Sequence, residues 1–174
     1  MLSALALLLL APAVALAQCT PNFQGVAVSI IDSDNQGEWG VSAHTPPGTF
    51  LQSNLESPPL NKTAEWHVEQ NGQDPAAYYI KDAGDPSNSL VVTLALESKL
   101  LYTSAIAQDN EEQLWIIHCD QCNPSSSEVA SGCQIINVDT DLCATTQEGN
   151  VNYGAVTCTG AGAQTFNFWA ATSA

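Results

Sequence analysis

Two markers repeat in phase along this chain. Trp66, Trp115 and Phe166 lie 49 and 51 residues apart, each at the end of a similar approach: Ala64-Glu65-Trp66, Gln113-Leu114-Trp115 and Gln164-Thr165-Phe166. A second marker precedes each one by 31 to 36 residues: Ile30-Ile31-Asp32, Ile80-Lys81-Asp82 and Ile135-Ile136-Asn137. Two signals in phase, three times over, describe one unit copied three times, and a repeat of this length constrains architecture before any single residue does. The units run from about 26 to 70, 77 to 120, and 133 to 174.

Within each unit the sequence predicts strands. Val26–Ile31, Ala77–Ile80, Ser89–Leu94 and Leu114–Ile117 are rich in β-branched and aromatic side chains, and Gly, Pro, Asn and Asp clusters separate them. Pro or Gly interrupts nearly every window in which a helix could grow. Four strands per unit, three times, predict an all-β chain of twelve strands about a pseudo-threefold axis, a β-trefoil. Its marker aromatics would share one core layer, because no unit can bury its apolar face alone.

The ends and the cysteines set the compartment. Leu2–Leu10 is an apolar run, too short to span a bilayer, and Ala15-Leu16-Ala17 is a small-x-small cleavage pattern. Residues 1–17 are therefore expected to be a secretory signal, leaving 18–174 as a single domain outside the cell. The six cysteines all follow the signal, an even count that favours disulfides, with 15 pairings open to them. Asn61-Lys62-Thr63 is an N-glycosylation sequon. With three basic and 18 acidic side chains the formal charge is −15, which disfavours nucleic acid and anionic membrane as partners.

Enzymatic chemistry finds little support. His44, His67 and His118 are scattered, no Gly-x-Ser-x-Gly is present, and Cys119-Asp120-Gln121-Cys122 reads as disulfide cysteines rather than a redox pair or a zinc site. No catalytic residue, metal or cofactor is expected. Asp32-Ser33-Asp34-Asn35 and Asp139-Thr140-Asp141 echo calcium loops without their glycine and terminal glutamate, and read as turns.

Gln113-Leu114-Trp115 and Gln164-Thr165-Phe166, with Leu142-Cys143 and Cys158 upstream of the latter, resemble the ricin-B-like β-trefoils and their Gln-x-Trp repeats. The resemblance covers the whole mature chain. It implies a β-trefoil, a Cys143–Cys158 disulfide, a scaffold role for Gln113 and Gln164 beside Trp66, Trp115 and Phe166, and sugar binding in shallow pockets. It also implies where the sugar ligands belong in unit three: a carboxylate at Thr145, a stacking aromatic at Val156 and an amide at Ala163. All three are replaced. Unit two has Val91 or Val92 and Glu112 at the corresponding places, and unit one has Trp39 and Asn54. The other disulfides are expected as Cys122–Cys133 and Cys19–Cys119.

The expected function is thus a non-catalytic, monomeric, lectin-like carbohydrate-binding module with its usual ligands largely missing. Trp39, Tyr102, Tyr153 and Trp169 are the aromatics free to be exposed, and Asn152, Tyr153 and Trp39 are the expected glycan contacts. The alternative is a secreted protein binder, such as a protease inhibitor, offering Thr45–Gly48, Leu55–Pro59 or the Cys122–Cys133 loop.

Overall fold

A computed structural model of the protein describes residues 18–42, 46–53, 62–63, 65–73, 75–123, 126–147 and 152–171. The predicted signal and Asn61 lie outside the described residues. The strands are β1 (Ala27–Asp32), β2 (Trp39–Ser42), β3 (Gln52–Ser53), β4 (Lys62–Thr63), β5 (Glu65–Gln70), β6 (Tyr78–Asp82), β7 (Leu90–Leu94), β8 (Leu101–Ala105), β9 (Trp115–His118), β10 (Gln121–Cys122), β11 (Glu128–Asn137), β12 (Leu142–Thr146), β13 (Tyr153–Thr157) and β14 (Phe166–Ala170). The only helical turns among the described residues are single 3-10 turns at Glu111–Gln113 and Gly162–Gln164.

Six of these strands close a ring. β1 pairs β5, β5 pairs β6, β6 pairs β9, β9 pairs β11, β11 pairs β14, and β14 returns to β1, every pair antiparallel. Closure removes the free edges that an open sheet would present. Along these strands buried and half-buried positions alternate, so one face lines the interior.

Register explains why the two sequence markers keep phase. Asp32 stands opposite Phe166, Asp82 opposite Trp66, and Asn137 opposite Trp115. Each aromatic fills the interior, and each polar partner is buried beside it to organise the chain leaving the barrel. Asp32 Oδ1 accepts from the backbone N–H of Asp34 at 2.7 Å and Asn35 at 3.2 Å. Asp82 Oδ1 accepts from Gly84 N–H at 2.8 Å. Asn137 Nδ2 donates to the carbonyls of Glu111, Glu112 and Leu114, and its Oδ1 accepts from Thr140 at 3.1 Å. A buried polar group without such partners would cost roughly 1–3 kcal/mol.

The barrel is plugged at both ends. At one, three segments bridge one another in a cycle: Phe50 to Tyr102, Leu100 to Gly154, and Asn152 back to Gln52. The middle residue of each, Leu51, Leu101 and Tyr153, is fully buried. At the other end Phe23 packs on Phe168 and Tyr78, with ring centroids 4.9 and 6.3 Å apart, and the Tyr78 hydroxyl donates to Pro21 O at 2.5 Å. Burial raises the Tyr78 pKa, with a hydrogen bond from Gln70 opposing it.

Cys143 pairs with Cys158. The other bridges differ from the expected set: Cys119 pairs with Cys133, and Cys19 with Cys122. Burial and register decide this. The β9–β11 ladder sets His118 against Gln134, which carries the next residues, Cys119 and Cys133, into opposition, both fully buried. Cys19 meets Cys119 through two backbone hydrogen bonds, of 2.8 and 2.9 Å, and its half-buried sulfur turns to the half-buried Cys122.

Candidate functional site

The signature glutamines brace their own stretches of chain. Gln113 is buried; its Nε2 donates to Ser104 Oγ at 2.8 Å and Ala105 O at 2.9 Å, and its Oε1 accepts from Ala107 N–H at 2.8 Å. Gln164, also buried, donates to Thr157 O at 2.9 Å and accepts from Thr159 N–H at 2.7 Å and Gly160 N–H at 3.2 Å. Each amide ties the turn before the last strand to the hairpin behind it. The indole of Trp115 likewise donates to Val92 O at 3.1 Å, and that of Trp66 to Trp39 O at 3.2 Å.

A shallow groove of about 300 Å³ opens beside Gln113, lined by Leu96, Asp109, Asn110, Glu111, Glu112 and Asp139. Three loops build it. Leu96 lies in the β7–β8 turn and is 40% exposed. Asp109 has φ of 61°, a left-handed conformation open to Asp and Asn, and delivers Asn110 to the N-cap of the 3-10 turn, where its side chain accepts from Glu112 N–H at 3.1 Å. Asp139 follows β11, held near by Val138 N–H donating to Leu114 O at 3.0 Å. Four carboxylates, one amide and one apolar side chain suit a hydroxyl-bearing or cationic ligand and repel an anion.

The corresponding stretch beside Gln164 is built differently. Thr145 is buried, and its hydroxyl donates to the Ala163 carbonyl at 3.0 Å. Val156 stands exposed opposite the disulfide-bonded Cys143. Of the three positions that the lectin resemblance marks, Thr145 and Ala163 meet through this hydrogen bond.

Of the expected glycan contacts, Trp39 and Tyr153 are fully buried, which corrects their assignment as surface aromatics. They pack on each other at 5.4 Å and on Phe166 at 5.3 and 6.4 Å. Alignment of the repeats carries the signal: Tyr153 precedes its marker by nearly the same interval as Leu51 and Leu101 precede theirs. Burial pushes the Tyr153 hydroxyl well above the usual phenol range, a nearby Ser53 side chain opposes this, and the charges of Asp32 and Glu38 add to it. The hydroxyl faces Ser53 without a hydrogen bond of ordinary geometry, and Trp39 Nε1 and Asn152 Oδ1 have no partner among the described residues. Gly37 runs so close that an added Cβ would lie 2.6 Å from Ser53 Oγ and 2.9 Å from the Tyr153 hydroxyl. Asn152 is half-buried and bridges Gln52.

Of the candidate loops, Pro46-Pro47-Gly48 is exposed and pinned: Gly48 N–H donates to Thr103 O at 2.6 Å, and Thr49 Oγ1 to Pro46 O at 2.9 Å. Leu55–Pro59, Thr45, His44 and Asn54 lie outside the described residues. The 122–133 stretch is the β10–β11 hairpin rather than a disulfide loop. His67 and His118 sit on β5 and β9, and no group of three metal-ligating side chains occurs among the described residues. Nor is any helix there long and apolar enough to cross a membrane.

No family model matches the sequence, and no curated protein is similar to it. Solved structures are. A designed threefold-symmetric protein, ThreeFoil, superposes with a TM-score of 0.61 at 10% identity, covering 82% of this chain and 97% of that one. The BEL β-trefoil gives 0.60 at 12%, covering 84% and 94%. SeviL, solved bound to the asialo-GM1 saccharide, gives 0.58 at 14%, covering 84% and 98%.

Proposed function

Starting from a closed six-stranded barrel with β-trefoil and lectin-like neighbours, we propose that the chain is three copies of one four-stranded unit, secreted after removal of residues 1–17, and that it acts as a monomeric, non-catalytic glycan-binding module. The cyclic plug of Leu51, Leu101 and Tyr153 supports the threefold reading. Three disulfides fit an oxidising, extracellular compartment. The observation that carries the binding reading is the acid-lined groove against Gln113, where carboxylates and Asn110 offer acceptors to sugar hydroxyls. A glycan array probed with the secreted protein tests it. Binding that Glu112→Ala with Asp139→Ala weakens is the expected result; no binding to any glycan at high micromolar protein ends the reading. Amino-terminal sequencing should begin at Gln18, and endoglycosidase should shift a glycosylated Asn61 form.

The pinned, exposed Pro46-Pro47-Gly48 favours a second reading, a loop that docks on a protein such as a protease with little entropy left to lose. Stoichiometric inhibition of any member of a cysteine- and serine-protease panel would support it.

A further inference from the structure

Trp169 sits where the barrel has no need of it. The chain has four tryptophans; Trp39, Trp66 and Trp115 are fully buried, while Trp169 is 37% exposed. It lies on β14, one residue beyond the inward Phe168, and so faces outward from the barrel wall. Register names its neighbours. Across one edge it stands opposite Glu128 of β11, across the other opposite Ser29 of β1, and Ser29 in turn stands opposite Glu65 of β5. Glu128, Trp169, Ser29 and Glu65 therefore form one outward row over four consecutive strands, each step about 4.8 Å. Two strand positions away on β14, Asn167 is fixed: its Oδ1 accepts from Gly132 N–H at 3.1 Å and Ser33 Oγ at 3.3 Å, which leaves its Nδ2 as a donor.

A lone exposed tryptophan is ordinary. This one stands opposite a small serine, in a row between two carboxylates, with an oriented amide on the same strand. Indole offers a flat apolar face to the C–H side of a pyranose ring; a carboxylate accepts hydroxyl protons in strong, charge-assisted bonds; the amide supplies a donor. We infer that this wall is a second glycan-binding platform, distinct from the groove beside Gln113, and that it takes neutral pyranose sugars. Sialylated or sulfated glycans are excluded, because Glu65, Glu128 and the −15 charge of the chain repel them. The inference extends the glycan-binding reading and rests on it for the class of ligand.

Trp169 is also its own reporter, since the other three indoles are shielded. Neutral, sialylated and sulfated glycans from the array are titrated into the wild-type protein while acrylamide quenching of tryptophan emission is followed. A neutral glycan should remove most of the acrylamide-accessible emission and blue-shift the rest. Trp169→Ala, checked for folding by circular dichroism, should weaken that binding about tenfold or more, and Glu128→Gln by less. If glycans bind but leave the emission and its quenching unchanged, and Trp169→Ala binds as wild type does, the platform is overturned and the groove reading stands. If only anionic glycans protect Trp169, the stated specificity is overturned. If no glycan binds, both fall together.

Discussion

The surroundings of Gln113 and Gln164 make a controlled comparison within one molecule. Both glutamines are buried, both brace a 3-10 turn against a hairpin, and both precede a marker aromatic. Around Gln113 the surface is an open groove of carboxylates, and the turn entering β7 is organised by Asp85. Around Gln164 the Thr145 hydroxyl bonds the Ala163 carbonyl, and a disulfide ties β12 to the end of its hairpin. The motif, then, specifies how each stretch is held, while the residues around it decide whether anything can bind there.

The covalent tie is the sharpest difference. Replacing Cys143 and Cys158 together by alanine, which opens a loop of sequence separation 15, should lower stability by about 3 kcal/mol in guanidinium unfolding and leave any ligand of the Gln113 groove bound as before. The glutamines test the similarity. Gln113→Ala and Gln164→Ala each remove several part-buried hydrogen bonds to backbone, so both should cost about 1 kcal/mol. A large loss at one and none at the other would break the equivalence.

Asp85 comes next. Its carboxylate accepts from Ser87 Oγ at 2.7 Å and from the N–H groups of Ser87, Ser89 and Leu90, and these bonds, the Ser87 hydroxyl foremost, hold its pKa well below the usual carboxylate range. A carboxyl depressed in the folded state stabilises above its unfolded pKa, and that contribution is lost as pH falls through the carboxylate range and below. Thermal scans should therefore show the gap between wild type and Asp85→Asn shrinking on acidification from neutral pH. The smallest effect is expected at Tyr153→Phe, which removes a buried hydroxyl lacking an ordinary hydrogen bond: the melting temperature should stay within a degree or two or rise.

The barrel was legible because its demands are periodic. Trp66, Trp115 and Phe166 keep phase with Asp32, Asp82 and Asn137 since each pair meets across a seam, and strands appear at the segments beginning near Val26, Ala77, Ser89 and Leu114. The site was less legible. Tyr153 sits in a polar stretch, Asn150–Gly154, and looks like a contact residue until its phase with Leu51 and Leu101 shows it to be the third plug of the barrel end. The disulfide partners depended on which cysteines face inward, a matter of register that spacing does not carry. The groove draws Leu96, Asp109 and Asp139 from three loops, and the wall at Trp169 draws its row from four strands; neither assembly leaves a local pattern.

Closure of the ring also sets a clock. β1 is complete only when β14, made more than a hundred residues later, lies beside it and Phe166 reaches Asp32. Until then β1 and β11 each have an unpaired edge, and the interior lacks Phe166 and Phe168. A chain dominated by such distant pairings folds slowly, and its open edges invite association with other chains meanwhile. A nascent chain stopped ahead of Phe166 should therefore accumulate as aggregate rather than as a smaller folded domain.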